Sequence, residues 1–285
     1  MNGLTLYDVK QLLVNPNFRT TIVHQTKDSE ARHFWRRLEE GPDNAVDSVV
    51  NKLDALVGFR ALRNIVGQQS GLDMSEVVRQ RKILLVPLPT AALGEANAGM
   101  LGSIIVDKLW EEIQLRPAGE RYPVVLILDE FQRFLNLSVA IEDMFAQARS
   151  YQLPLIVANQ LTRQLPDAVL AAVKGNARST VAFGQGPDDA AKLKDLFAPL
   201  GAGDLQTLAQ FEAAATLMTD SGPAPTATIR TLPPPRPTGF GLAAQAASMA
   251  RYGRPVDEVE RAMRERHGGH GDDHKRPSIG RVVDE

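Results

Sequence analysis

The sequence contains no cysteine. This absence excludes disulfide bonds, thiolate metal sites and a cysteine nucleophile, and it agrees with a cytoplasmic location. An excess of charge of one sign is also lacking, because 32 lysine and arginine residues oppose 34 aspartate and glutamate residues, which gives a formal net charge of -2. Proteins that bind nucleic acid often carry a basic surplus. Any contact of this chain with DNA must therefore be local or shared among several subunits.

Long hydrophobic runs are missing as well. No apolar stretch approaches the roughly 18–20 residues that span a bilayer. The N-terminal sequence MNGLTLYDVKQLL has neither the basic start nor the apolar centre of a signal peptide. We therefore expect a cytoplasmic protein that reaches a membrane only through a partner or a further segment.

A phosphate-binding loop of the form G-x-x-x-x-G-K-[ST] is absent from the sequence. The nearest approach is the segment from Gly94 to Leu101, whose glycines have the right spacing and lie between an expected strand and an expected helix. Met100, however, stands where a lysine must neutralise the β- and γ-phosphates, and Leu101 stands where a hydroxyl must ligate magnesium. We predict that this segment does not bind phosphate.

The N-terminal part of the chain, residues 1–80, has the pattern of a helical module. Apolar side chains recur at helical spacing in three stretches. The first predicted helix begins at Thr5, the second at Asp28 or Ser29, and the third near Ala45. We therefore expect residues 1–80 to form a helical domain.

The pattern changes to alternating strands and helices in residues 81–232. Short apolar runs separated by helical stretches predict an α/β fold, a parallel sheet covered by helices on both faces. Residues 233–285 begin with a proline-rich linker, continue with one short helix around Val256–Arg266, and end in a polar tail that we expect to be disordered. The expected strands are residues 83–86, 124–128, 155–158, 180–183, 214–218 and 227–230.

The most apolar run of the middle region ends in two acids. Residues 124–130 read VVLILDE, so Asp129 and Glu130 follow a predicted central strand at its carboxyl end, the edge at which open α/β sheets bind ligands. In a nucleotide hydrolase the first acid holds magnesium through water, and the second polarises the attacking water. The alternative is that the two acids simply begin the next loop.

Two further polar residues could belong to the same site. Gln160 follows the next predicted strand and is expected at the same edge of the sheet, where its amide could sense a γ-phosphate or orient water. Arg149 lies late in the intervening helix, and its guanidinium could reach a phosphate in its own subunit or across an interface. Each residue also has a plain alternative, since a glutamine after a strand and an exposed arginine on a helix are both common.

Histidines and aspartates are grouped near the C-terminus. His267, His270 and His274, together with Asp272 and Asp273, have side chains of the kinds that ligate metals. The surrounding sequence is rich in glycine and is predicted to be disordered, so these side chains are not held in a binding geometry. We do not assign a metal site to this segment.

Six segments of the chain together resemble one protein family. They are similar to the TraG/TraD-like coupling proteins of type IV secretion and conjugation, and to the related HerA/FtsK P-loop ATPases. The resemblance extends over roughly residues 5–265, and it is specific because the segments agree in their order along the chain. The segments are VVNKLDALVGFRALRNIVGQ, VVLILDEFQRF, AQARSYQLPL, IVANQLTRQL, VKGNARSTVAFGQGPDDA and RYGRPVDEVERAM.

The resemblance implies a RecA-like fold and a hexameric ring ATPase that pumps DNA in conjugation or a related transfer system. The Walker B acids of such proteins correspond to Asp129 and Glu130, with Asp129 as the ligand of magnesium and nucleotide. Gln160 corresponds to the sensor glutamine, and Arg149 to an arginine finger that acts on the neighbouring subunit. The implied cofactors are ATP and Mg²⁺. The implied partners are DNA, further copies of the chain, and secretion or relaxosome proteins through which the protein is peripheral to the inner membrane.

The missing phosphate-binding loop is the main departure from the family, whose P-loop lies well upstream of the Walker B strand. The chain is then a fragment, or one half of a split gene, or a homologue that is no longer catalytic. Two functions follow. The chain is either the Walker-B-bearing portion of a DNA-translocating ATPase that needs a P-loop from elsewhere, or a non-catalytic module that binds the motor ring or a DNA-processing partner.

Overall fold

The computed structural model describes residues 3–42, 46–69, 71–135, 137 and 141–267, and within them it contains fourteen α-helices and seven β-strands. None of these helices is both long and apolar enough to cross a membrane. The helices are α1 (Leu6–Val14), α2 (Pro16–Gln25), α3 (Ser29–Glu39), α4 (Asp47–Val57), α5 (Arg60–Val66), α6 (Met74–Arg79), α7 (Thr90–Leu93), α8 (Glu95–Leu115), α9 (Ile141–Gln147), α10 (Asp167–Asn176), α11 (Pro187–Leu193), α12 (Ala202–Gln206), α13 (Gly241–Tyr252) and α14 (Val256–Arg266). The strands are β1 (Leu126–Leu128), β2 (Leu155–Val157), β3 (Thr180–Phe183), β4 (Glu212–Thr216), β5 (Met218–Thr219), β6 (Gly222–Pro223) and β7 (Ala227–Arg230).

The chain divides into two compact units. The first combines the residues up to Leu72 with those from Gly241 onward, and the second extends from Asp73 to Phe240. The first unit is helical, and it contains α1 to α5 together with α13 and α14. The second unit contains all seven strands and the helices between them.

The helices of the first unit begin where the sequence supplies capping residues. Thr5 precedes α1 and is hydrogen-bonded to Asp8, and Asp28 caps the start of α3, so both predicted starts are confirmed. The third predicted helix is divided into α4 and α5 at Gly58. Helix α2 was not predicted, because its start depends on the side chain of Asn15 rather than on apolar spacing.

Helix α14 is fastened to the N-terminal helices of the same unit. Arg60 donates two hydrogen bonds to Glu260, at 2.7 and 3.1 Å, and this contact is the main cause that lowers the pKa of Glu260 to about 2. Asp8 is fully buried, and His267 lies 2.6 Å from its carboxylate. Burial alone would raise the pKa of Asp8. The hydrogen bonds from His267 and Thr5 and the charge of Arg266 outweigh burial, so the pKa of Asp8 is lowered. The short helix predicted here is confirmed, and it is an integral part of the first unit.

The second unit is built around a parallel pair of strands. β1 and β2 pair from Leu126 opposite Leu155 to Leu128 opposite Val157. Helices α8, α9 and α10 contribute to one hydrophobic core with these strands, and Trp110 of α8 is among its most buried side chains. Parallel strands joined by a crossover helix are the unit of an α/β fold. The predicted α/β class is confirmed.

The opposite face of this parallel pair is bare in the described residues, although helices were predicted on both faces. Val125, Ile127 and Ile156 point away from the core and are 54%, 65% and 53% exposed. Strands with apolar residues on both faces are typical of parallel sheets enclosed on both sides. The sequence of these strands is therefore typical of a sheet that is covered on both faces, but the described residues cover only one face.

The later strands form a separate antiparallel sheet instead of extending the parallel one. Its order is β3-β4-β7, with Thr180 opposite Thr216 and Glu212 opposite Arg230. The connection from β4 to β7 is short and contains only the β5–β6 ribbon. Parallel strands need a crossover of a dozen or more residues, so this short connection favours the antiparallel pairing of β4 and β7.

The strand predicted at residues 83–86 was wrong. This segment belongs to no sheet, and Ile83 and Leu85 are 89% and 83% exposed. An apolar run becomes a strand only where a neighbouring backbone supplies hydrogen-bond partners. Here a cleft separates the segment from β1, so the run remains unpaired.

Candidate functional site

The carboxyl ends of β1 and β2 lie side by side. Hydrogen bonding continues beyond the strands, because the amide of Ala158 donates to the carbonyl of Leu128 and the amide of Phe131 donates to the carbonyl of Ala158, both at 3.0 Å. The turn that holds Asp129 and Glu130 is therefore fixed beside the residues that follow β2. The predicted position of the two acids at this edge is correct.

Glu130 has an unusual backbone conformation. Its φ and ψ angles are 54° and 46°, in the left-handed region that non-glycine residues rarely adopt. The carboxylate accepts one hydrogen bond on each oxygen, from Nε2 of Gln160 at 2.6 Å and from Nε2 of Gln132 at 2.5 Å. Such a conformation costs on the order of 1–3 kcal/mol and tends to occur at functional sites. The left-handed turn and the two amides together fix the direction of the carboxylate.

The structure brings Gln160 to Glu130, and it adds a residue that the sequence reasoning missed. Gln132 lies in the short 3-10 turn Phe131–Phe134 that follows the acids, and it is half-buried. Its Oε1 atom is buried and has no hydrogen-bond partner in the described residues. No sequence signal marks this contact, because it depends on the left-handed turn at Glu130. A glutamine two residues after the acids was the only available hint.

Asp129 is exposed and faces a cleft of the second unit. The cleft has a volume of about 1090 Å³ and lies between β1, helix α8 and residues 81–88, which belong to no strand. Its charged lining residues are Asp129, Glu130, Arg133, Arg81 and Lys82. Carboxylate oxygens at an exposed edge are suitable ligands for magnesium, which binds to proteins through one or two carboxylates and several waters. Asp129 and Glu130 therefore fit the metal half of a nucleotide site.

The glycine-rich segment before α8 does not form a phosphate-binding loop. Gly94 caps the helix, and Glu95 places a negative charge in its first turn, which disfavours an anion there. Gly99 lies inside the helix, where an added Cβ would come within 2.7 Å of the carbonyl oxygen of Arg133. At Gly102 an added Cβ would lie 2.3 Å from a ring atom of Phe134. The glycines thus serve the close packing of α8 against the 3-10 turn, and the described residues do not fit the phosphate half of the site.

Arg149 lies at the other end of the strands. Its carbonyl accepts a hydrogen bond from Gln152, whose own carbonyl accepts one from the amide of Val124 at the start of the β1 segment. Strand residues rise by about 3.3 Å each, so the five steps from Val124 to Asp129 separate Arg149 from the acids by about 17 Å. The structure therefore does not bring Arg149 together with Asp129, Glu130 and Gln160 within one chain.

The histidine-rich tail lies outside the described residues, except for His267. That histidine contacts Asp8 and packs edge-on against Phe18, with ring centroids 4.8 Å apart. Its place is therefore in the packing of the first unit. Within the described ranges, no three histidine, aspartate or glutamate side chains are grouped as metal ligands would be.

The chain resembles known proteins in both sequence and fold. Residues 123–215 match the family described as "TraM recognition site of TraD and TraG". No curated protein matches the chain. The plasmid coupling protein TrwB in complex with ADP and Mg²⁺ is 16% identical, with a TM-score of 0.54, and the match covers 79% of this chain and 60% of that one.

Two further solved structures give the same picture. TrwB in complex with a non-hydrolysable ATP analogue matches with the same identity, coverage and TM-score. A bacterial conjugative coupling protein in complex with sulphate matches with a TM-score of 0.54 and 16% identity, over 80% of this chain and 60% of that one. The chain thus spans about three-fifths of the length of the coupling proteins that it resembles. The fold is therefore RecA-like, like that of these coupling proteins, and residues 123–215 are similar to the recognition-site family of TraD and TraG.

Proposed function

We propose that the chain is the Walker-B-bearing portion of a DNA-translocating ATPase of conjugative transfer or a related secretion system. The observation that carries the proposal is the position of Glu130. It follows an apolar parallel strand, adopts a left-handed conformation, and is hydrogen-bonded to the glutamine that follows the neighbouring strand. Asp129 precedes it at the same exposed edge. An ordinary loop start needs none of these features.

The roles of the side chains follow from their chemistry. Bound with Mg²⁺, ATP supplies the phosphoanhydride bond whose hydrolysis drives translocation. Asp129 would hold the metal with its exposed carboxylate, and Glu130 would accept the proton of the attacking water. Gln160 orients that carboxylate and is placed to respond to the γ-phosphate, since it is exposed at the same edge.

The phosphate-binding loop comes from another segment or another chain, and the bare sheet supports this part of the proposal. In the described residues β2 pairs only with β1, and β3 pairs only with β4, so each has an open edge. Val181 and Phe183 of β3 are 47% and 49% exposed, as are the apolar residues on the bare face of the parallel pair. A P-loop is a strand, a glycine-rich turn and a helix. Such a unit would supply both a pairing edge and a covering layer.

The solved relatives support nucleotide chemistry for this fold, since two of them are coupling proteins bound to ADP with Mg²⁺ and to an ATP analogue. We extend the proposal to the family's other features: a hexameric ring, DNA as the translocated polymer, and relaxosome or secretion proteins as partners. The chain is then cytoplasmic, and it is peripheral to the inner membrane through those partners.

The proposal is tested by adding a second chain that carries a phosphate-binding loop. The purified chain alone should release no phosphate from ATP and should bind nucleotide poorly, because backbone amides and a lysine of the absent loop make most phosphate contacts. Mixing it with a P-loop-bearing chain encoded at the same locus should produce DNA-stimulated hydrolysis. Robust turnover by the chain alone would contradict the absence of a phosphate site. No turnover in the mixture, with both chains folded and associated, would overturn the proposed function.

A second function is favoured by one specific observation. The matching family is described as a recognition site for TraM, and its match covers β1, β2, β3 and most of β4. A non-catalytic module that binds a DNA-processing protein would use this same unit without hydrolysing ATP. Partner binding by both the parent chain and a Glu130→Gln variant, with no hydrolysis by the parent chain under any reconstitution, would select this alternative.

A further inference from the structure

Helix α3 of the first unit presents a row of basic side chains to solvent. At about 100° per residue, Arg32, His33, Arg36 and Arg37 occupy about 140° of its circumference. All four side chains are exposed. Among the described residues no ion pair involves any of the three arginines, and the neighbouring acids Glu30, Glu39 and Glu40 lie before Arg32 or after Arg37 in the chain. We define the α3 face as Arg32, His33, Arg36 and Arg37 together with Phe34.

The cations of the α3 face are not needed to hold the helix in place. The opposite side of α3 is half-buried through Ala31, Trp35 and Leu38. Arg19 of α2 fixes that side, because its guanidinium lies 5.9 Å from the Trp35 ring centroid and also pairs with Glu39 at 3.3 Å. Packing therefore uses a different arginine, and the row on the α3 face is left without a structural role.

An exposed aromatic ring borders the row. Phe34 is 50% exposed, and its ring stands edge-on against Trp35 with centroids 5.3 Å apart. The contact with Trp35 holds the ring in place beside Arg37, which is three residues further along the helix. Exposed aromatic rings next to cations are the combination that binds single-stranded nucleic acid, since bases stack on the ring and phosphates pair with the cations. An acidic peptide would need only the cations.

We propose that the α3 face binds single-stranded DNA, with Arg32, Arg36 and Arg37 on successive phosphates and Phe34 stacked on a base. The site is local, so it is compatible with the net charge of -2 of the whole chain. It deepens the proposed function by naming where the polymer is contacted. It does not depend on nucleotide, and its test therefore needs neither the P-loop nor hydrolysis.

The first arm of the test removes the charges. Binding of a fluorescein-labelled oligothymidine of about 20 nucleotides is followed by anisotropy over a salt titration. The variant R32Q/R36Q/R37Q should bind at least about tenfold more weakly, and its salt slope should fall by about 2, at about 0.7 per lost phosphate contact. The control K52Q/R261Q/R264Q removes three other exposed cations of the same unit and should bind within about twofold of the parent. If both triple variants lost the same affinity for the oligothymidine, the effect would come from the total charge of the protein, and the proposal would be overturned.

The second arm removes the ring. Phe34→Ala should weaken oligothymidine binding by about 5- to 100-fold, as loss of one stacked base does, and leave binding to a duplex of equal length unchanged. Phe34→Tyr should bind like the parent, and circular dichroism confirms that each variant is folded. Unchanged binding by Phe34→Ala, or no binding by the parent, would refute the α3 site. Intact DNA binding without reconstituted hydrolysis would instead refute the ATPase proposal alone.

Discussion

At the scale of single residues, the carboxylate of Glu130 is held by two amides that differ in their freedom. Gln132 is half-buried in the 3-10 turn, so moving its side chain would disturb the packing of that turn. Gln160 is exposed and can leave at little cost. Each carboxylate oxygen accepts one amide hydrogen bond and keeps a second lone pair, so a water can bind to Glu130 beside the two amides. If one amide has to give way to the attacking water, we expect Gln160 to be the one that moves.

Replacing Glu130 by glutamine tests its role as the base. In the protein reconstituted with a P-loop, Glu130→Gln should lower ATP turnover by about 10²- to 10⁴-fold, because an amide keeps the shape but cannot accept a proton. Nucleotide binding, measured by fluorescence of a labelled analogue, should be spared. Asp129→Asn should instead raise the Mg²⁺ concentration needed for half-maximal turnover.

The matched control for Glu130→Gln is Glu95→Gln, which removes an equally sized, exposed acid at the start of α8. It should leave turnover within about twofold, as surface substitutions away from a site usually do. Near-normal hydrolysis by Glu130→Gln would show that Glu130 is not the general base.

The sequence predicted three of the residues at this edge and missed the fourth. Asp129, Glu130 and Gln160 follow apolar runs, and strand register alone brings them to one edge of a parallel pair. Gln132 depends on a left-handed backbone at a glutamate, which no local pattern indicates. Residues placed by regular elements are therefore predictable here, and residues placed by an irregular turn are not.

At the scale of elements, the 3-10 turn after the acids is positioned by helix α8. The helix lets the turn approach closely through Gly99 and Gly102, where side chains would collide with Arg133 and Phe134. The turn carries Gln132 and follows Glu130 directly, so the fit between helix and turn also sets the geometry of the carboxylate. Packing and site are coupled at this contact.

Substituting alanine for Gly99 tests that coupling, with Gly175→Ala as the matched control. Gly175 is also helical, and an added Cβ meets no atom there, so its substitution should stabilise the protein by up to about 1 kcal/mol through helix propensity. Gly99→Ala gains the same propensity but must push back a backbone carbonyl, which costs about 1–3 kcal/mol. Urea denaturation should therefore show Gly99→Ala to be less stable than Gly175→Ala by about that amount. Equal stabilities would mean that the helix and turn are not closely packed.

Helices and strands were predicted well where the sequence has the expected apolar pattern and the same unit contains the element that they pack against. Helices α1, α3, α8 and α14 have their caps or packing faces within their own unit, and all four were expected from the sequence. Residues 83–86 have the apolar pattern of a strand but no neighbouring strand, and remain unpaired. Strand formation is decided by long-range pairing, which a local pattern does not contain.

At the scale of the whole molecule, the position of Arg149 bears on assembly. The turn that carries it is held by Arg121, which donates to the carbonyl of Ser150 at 2.8 Å, and by Arg116, which donates to the carbonyl of Tyr151 at 3.0 Å. This fixed, exposed arginine lies at the edge of the sheet opposite its own acids. A role in hydrolysis therefore requires a neighbouring subunit, as in the proposed ring.

A mixing experiment decides whether Arg149 acts between subunits. In the reconstituted protein Arg149→Ala should lower turnover by about 10³-fold or more, the contribution of an arginine finger. Adding an excess of Glu130→Gln subunits, which are inactive but keep the arginine, should restore part of the activity, because each intact site then borrows Arg149 from its neighbour. Arg178→Ala, which removes another exposed arginine, should remain active and need no rescue. Normal turnover by Arg149→Ala would make it an ordinary surface residue, whose loss changes stability by less than about 1 kcal/mol. An inactive variant that the mixture does not rescue would require Arg149 to act in its own subunit, across about 17 Å of strand, and would contradict the position found here.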